Sequence, residues 1–228
     1  MSAGIGGLMR SWTETAVLGV VALTLAGCRS ESYRYRVTVE VQTPQGVRSG
    51  SSVWETKAVE GSGIPDTALR YKGRGEAVVV DLPTGPIFAL LRDENVGVDY
   101  PHNLITRHLA AHPDSSVQLT DDWRANRRAI KKARLSYTLS PDEYPLLVRF
   151  PDISDPATLR KVGPHELEAA FGPGVRLRRI TIAVTNDGVT RGIEKRLPWI
   201  GRLEDYRRDK RNPFTSTLPN ELSGLRIN

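Results

Sequence analysis

The chain has one cysteine, Cys28, among 228 residues. That excludes an intrachain disulfide framework and any zinc site built on paired thiolates. Long apolar runs are missing too. The most apolar stretch, residues 16–26, is eleven residues long, against the roughly 20 a spanning helix needs, so a bundle of membrane-spanning helices is not expected. No Gly-x-Ser-x-Gly elbow is present, and Gly50-Ser51-Ser52 lacks the second glycine. Gly73-Arg74-Gly75 lacks the rest of a phosphate-cradling loop and reads as a turn leading into a strand at Ala77. The carboxylate doublets Asp121-Asp122 and Asp142-Glu143 are adjacent in sequence, so their side chains diverge on a helix or strand, and neither is an acid/base pair by itself. There is no internal repeat and no low-complexity tract.

What remains is the composition of a globular protein. The chain is 39% hydrophobic and 25% charged, which excludes a mostly disordered chain and suits one domain with a sizeable core. Its formal net charge is +6, which draws attention to anionic partners.

Residues 1–28 differ from the rest. Arg10 supplies an early positive charge, partly offset by Glu14, and residues 16–26 form an uncharged, mostly apolar run. Eleven residues is the length of a signal-peptide hydrophobic region. The run ends in Leu25-Ala26-Gly27-Cys28, and this string resembles the lipobox of bacterial lipoprotein precursors. The small residues let an extended backbone enter a narrow protease site, and the thiol is the side chain nucleophilic enough to carry a thioether-linked diacylglycerol.

The resemblance implies cleavage before Cys28 by signal peptidase II and lipidation of Cys28. One myristoyl-length chain anchors only marginally, at about 0.8 kcal/mol per buried CH₂, whereas two or three chains hold a protein durably. Arg29 follows Cys28 where an Asp would, by the enterobacterial sorting rule, retain the protein in the inner membrane. The analogy points to the outer membrane, facing the periplasm. Export in turn makes nucleic acid a poor partner, despite a sequence pI near 9.6.

Residues 33–41 alternate cleanly. Tyr33, Tyr35, Val37, Val39 and Val41 point one way, while Arg34, Arg36, Thr38 and Glu40 point the other. Thr43-Pro44-Gln45-Gly46 has Pro and Gly where a type I turn favours them, and a return strand is expected around residues 53–60. Further strands are expected at residues 77–82, 87–91, 144–150 and 176–185, and helices at 103–112, 121–134, 155–161 and 164–171. The expected fold class is α+β: an antiparallel sheet with a few helices packed on one face, in a single compact domain. Residues 1–27 are the signal peptide, 28–32 the lipidated Cys and a short tether, 33–200 the domain, and 201–228 a charged C-terminal segment expected to be loosely ordered. Residues 33–41, 46–53, 171–177 and 192–199 also resemble an uncharacterised family of proteobacterial lipoproteins. That family carries no established activity.

Two clusters could carry function. On the second expected helix, Arg124, Arg127, Arg128, Lys131, Lys132 and Arg134 share one half, while Trp123, Ala125, Asn126, Ala129, Ile130 and Ala133 share the other. Arg124, Arg127, Arg128, Lys131 and Lys132 are the candidate contacts for an anionic lipid or acidic glycan, against the plainer reading of a solvated face. His108 and His112 are four apart on one helix face, a spacing that can bind zinc, with His102 nearby. However, His108-Leu109-Ala110-Ala111-His112 lacks the glutamate of a metalloprotease. No metal or other cofactor is therefore expected. The leading expectation is a lipid-anchored envelope protein with a membrane-apposed binding or structural domain. The alternative is a hydrolase-like envelope enzyme whose site is assembled from distant residues.

Overall fold

The alternation at residues 33–41 sets the architecture. In the computed structural model of the protein, described over residues 30–60, 69–95, 97–202 and 222–228, it lies within strand β1 (Ser30–Thr43). Pro44 and Gln45 turn the chain directly into β2 (Gly46–Glu60), with Thr43 opposite Gly46. The return strand thus starts seven residues earlier than its apolar pattern predicts. Apart from Val47, residues 46–52 are Gly, Ser or Arg, and pairing with β1 makes them a strand. The strands β3 (Leu69–Glu76), β9 (Arg176–Thr185), β6 (Ser136–Thr138) and β10 (Arg226–Ile227) complete a six-stranded antiparallel sheet in the order β10-β3-β2-β1-β9-β6.

A second sheet, in the order β4-β5-β7-β8, is built from Val78–Val80, Ile87–Ala89, Leu147–Arg149 and Arg160–Lys161. It crosses the inner face of the large sheet at Gly50. An alanine Cβ there would lie 1.9 Å from the Val79 carbonyl oxygen, so the absence of a side chain is what admits strand β4. Strand β5 is buried on both sides, which explains its unbroken apolar sequence. Ile87 and Ala89 enter the main core, while Phe88 enters a second core with Phe150, Leu197, Trp199, Leu222 and Leu225.

Helices α1 (Tyr100–Ala111), α2 (Trp123–Ala133) and α3 (Leu167–Phe171) complete the fold. Helix α1 lies against β2 and β3, and α2 against β1 and β9. The antiparallel sheets and their few helices make the fold α+β in one compact domain, as the patterning predicts.

Three local expectations change. Residues 155–161 form a single 3₁₀ turn, Pro156–Thr158, capped by Asp155, and then strand β8. Pairing with β7 and burial of Leu159 and Val162 outweigh helix continuation there. Gly73-Arg74-Gly75, expected as a turn, lies within strand β3. The C-terminal segment is not loose where it is described: Leu222 and Leu225 are fully buried, and Arg226 and Ile227 pair with Glu76 and Gly75.

Candidate functional site

Helix α2 starts at Asp122, whose carboxylate accepts from the backbone N–H groups of Arg124 (2.8 Å) and Ala125 (3.2 Å). Those N–H groups hold the Asp122 carboxyl below its ordinary pKa range, the Ala125 bond most strongly. The helix ends at Arg134, whose φ of 49° is left-handed. The buried line down α2 runs through Arg127 and Ile130, not through the centre of the apolar half. At about 100° per residue these two flank the seam between the cationic and apolar halves. Binary patterning therefore misjudges which side docks.

The structure separates the five candidate contacts. Arg127 is only 4% exposed. Its Nε donates to the Glu31 carbonyl (3.1 Å) and its Nη2 to the Thr56 hydroxyl (3.0 Å). Its guanidinium lies 4.7 Å from the Tyr33 ring centroid. Burial lowers its pKa from the usual arginine value. Arg124 is ion-paired with Glu60, and Arg128 with Glu31 at 2.6 Å. Lys131 and Lys132 remain exposed, with no ion pair among the described residues. Three of the five thus brace α2 to β1 and β2, and two face solvent. Cys28 lies outside the described residues, two positions before the start of β1.

The end of the sheet near Ser30 carries further charge. A cavity of about 130 Å³ there is lined by Ser32, Arg34, Glu55, Lys131, Thr185 and Asn186. It joins the exposed part of α2 to the outer face of the large sheet. Sequence reasoning did not single out that outer face. Its cationic row on β3, Arg70, Lys72 and Arg74, shows as a row only once β3 is known to be a strand.

The histidines do not converge. His102 is buried and stacks on Tyr71 at 4.2 Å, nearly parallel, and burial lowers its pKa from the ordinary value. His108 stacks on Tyr137 at 3.5 Å, and its Nδ1 is 2.9 Å from the Glu143 carboxylate. The other oxygen of that carboxylate accepts from the Ser140 N–H and hydroxyl, at 2.9 and 3.0 Å. His112 stacks on His108, and its Nδ1 contacts the His108 carbonyl at 2.8 Å. Among the described residues no group of three or more His, Cys, Asp or Glu side chains could hold a metal ion. The visible roles of the histidines are in stacking and capping.

No protein-family model matches the chain, no curated protein matches its sequence, and no solved structure matches its fold.

Proposed function

We propose that this is a lipid-anchored protein of the bacterial cell envelope, acylated at Cys28 after removal of residues 1–27. Its α+β domain acts against the membrane as a binding or structural module. The observation that carries the reading is the Leu25-Ala26-Gly27-Cys28 string directly after a signal-length apolar run. Strand β1 beginning at Ser30 supports close apposition, because two residues span at most about 7 Å. Glu31 adds to this: its carbonyl accepts from Arg127 and its carboxylate pairs with Arg128, so the chain is fixed to α2 as soon as it enters the domain.

Lys131 and Lys132 lie on the same helix as these braces and are the members of the basic stripe suited to anionic headgroups, each worth about 1 kcal/mol near such a surface. Arg29 favours the outer membrane with the domain in the periplasm. The reading is tested by growing a bacterial host with an alkyne-tagged palmitate. Wild type is expected to incorporate the tag, Cys28→Ala to lose it, and a signal peptidase II inhibitor to accumulate the precursor. A wild-type chain that is processed without taking up the tag would contradict it.

A further inference from the structure

The strands that turn Tyr33, Tyr35 and Trp54 into the core carry a different set on the opposite face. Strand register defines that set. Lys57 lies directly opposite Lys72, Glu55 opposite Arg74, and Val59 opposite Arg70, while Arg34 lies opposite Glu55 across β1 and β2. The Glu55 carboxylate is shared by Arg34 (3.1 Å) and Arg74 (3.5 Å). Lys57 and Lys72 are exposed and have no ion pair among the described residues. Like charges directly opposed on antiparallel strands repel, so this pair calls for an anion from outside the domain.

Residues 190–193 cover one end of this face, where Thr190 bonds to Val53 and the Ile193 N–H donates to the Glu76 carboxylate. Lys57, Arg70 and Lys72 at the other end are exposed. Helices α1 and α2 dock on the side that buries Tyr33, Tyr35 and Trp54. The outward positions of β1, β2 and β3 hold no aromatic ring. Tyr71, the aromatic residue of β3, turns inward onto His102. The face therefore offers nothing for stacking on sugar rings. It offers cations spread over three neighbouring strands, an arrangement that matches a plane of phosphates.

Position supports a bilayer over a soluble anion. Ser30 pairs with Val59, and Lys57 is two residues further along β2. At about 3.4 Å per residue the lysine pair lies within roughly 10 Å of the start of β1, and an acyl chain two residues upstream would keep it at the headgroup layer. We propose that the outer face of β2 and β3 rests on anionic phospholipid headgroups, with Lys57 and Lys72 at the centre of the contact and Arg70 and Arg74 flanking them. This rests on the lipid-anchor reading above.

The test uses the full, natively processed protein reconstituted into phosphatidylcholine vesicles with and without phosphatidylglycerol. Lysines are pulse-acylated and quantified by peptide mass spectrometry. Reactivity of Lys57 and Lys72 is expected to fall about threefold or more with phosphatidylglycerol and to recover in high salt. Lys161, paired with Glu94 on the small sheet, should be unaffected. Equal reactivity of Lys57 and Lys72 in both vesicles overturns the proposal, as does protection confined to Lys131 and Lys132, which would mean contact through α2. Equal protection by free glycerophosphate without vesicles also overturns it, assigning the site to a soluble phosphate. Flotation with phosphatidylcholine alone requires only the acyl chains, so it reports the anchor reading separately. A protein that fails to float removes that reading and this one together.

Discussion

The two faces of the large sheet share the same strands but are built on different physics. Inward, Trp54 is fully buried and packs edge-on against Tyr35 and Tyr100, with ring centroids 5.8 and 6.3 Å away. Its indole N–H donates to the Glu76 carbonyl at 2.8 Å, and the Tyr35 and Tyr100 hydroxyls donate to the carbonyls of Pro101 and Glu143. Outward, Arg36 meets Asp187 at 2.6 Å and Arg179 meets Glu40 at 2.7 Å, in pairs that are partly solvated. Such pairs contribute about 0–1 kcal/mol each. The inner face therefore specifies the fold. The outer face is free to be chosen for what it meets, because stability depends little on it.

The largest expected break in that contrast is Trp54→Ala, which should cost about 4 kcal/mol in urea unfolding, through the cavity and the lost hydrogen bond. Gly50→Ala should come next, at about 2–3 kcal/mol, because its Cβ would press on strand β4 where the sheets cross. A loss below about 0.5 kcal/mol in the same assay would contradict the close approach at Val79.

Third is a pH effect. Burial depresses the pKa of His102, so as the pH falls the unfolded chain takes up this proton first. The stability it contributes is complete above about pH 6.5, the ordinary imidazole value, and is lost as the pH falls from there through the folded-state value. Thermal melts from pH 7 downward should show a shallower decline for His102→Phe than for wild type. The smallest effect expected is for Lys57→Glu on the outer face. It should raise stability by about 0.3 kcal/mol by giving Lys72 a partner, while weakening attachment to phosphatidylglycerol vesicles. Opposite signs for stability and binding would sharpen the distinction between the faces.

Strands β1 and β9 were legible in the sequence because one side of each is continuously apolar. Strand β3 was not: its inward positions include Gly73 and Gly75, which give no hydrophobic beat, and its outward ones are all polar or charged. Without β3 the opposition of Lys57 and Lys72 was invisible, since it depends on a register between segments separated by residues 61–68. The composition of α2 was legible, but its orientation was not. Arg127 reads as a solvent residue by type, and only its contacts with Tyr33, Thr56 and the Glu31 carbonyl make it part of the interior. Pairing on neighbouring strands likewise removed Arg124 and Arg128 from the free surface, an outcome that depends on where Glu60 and Glu31 fall in the fold.

The lipid anchor proposed at Cys28 is the premise for which surfaces of the domain reach a bilayer, and intact-mass spectrometry of protein purified from bacterial membranes tests it most directly. The account predicts a chain beginning at Cys28 and heavier than its sequence by a diacylglyceryl group, with or without a further acyl chain. A chain with an unmodified thiol, or one that still carries residues 1–27, would contradict it.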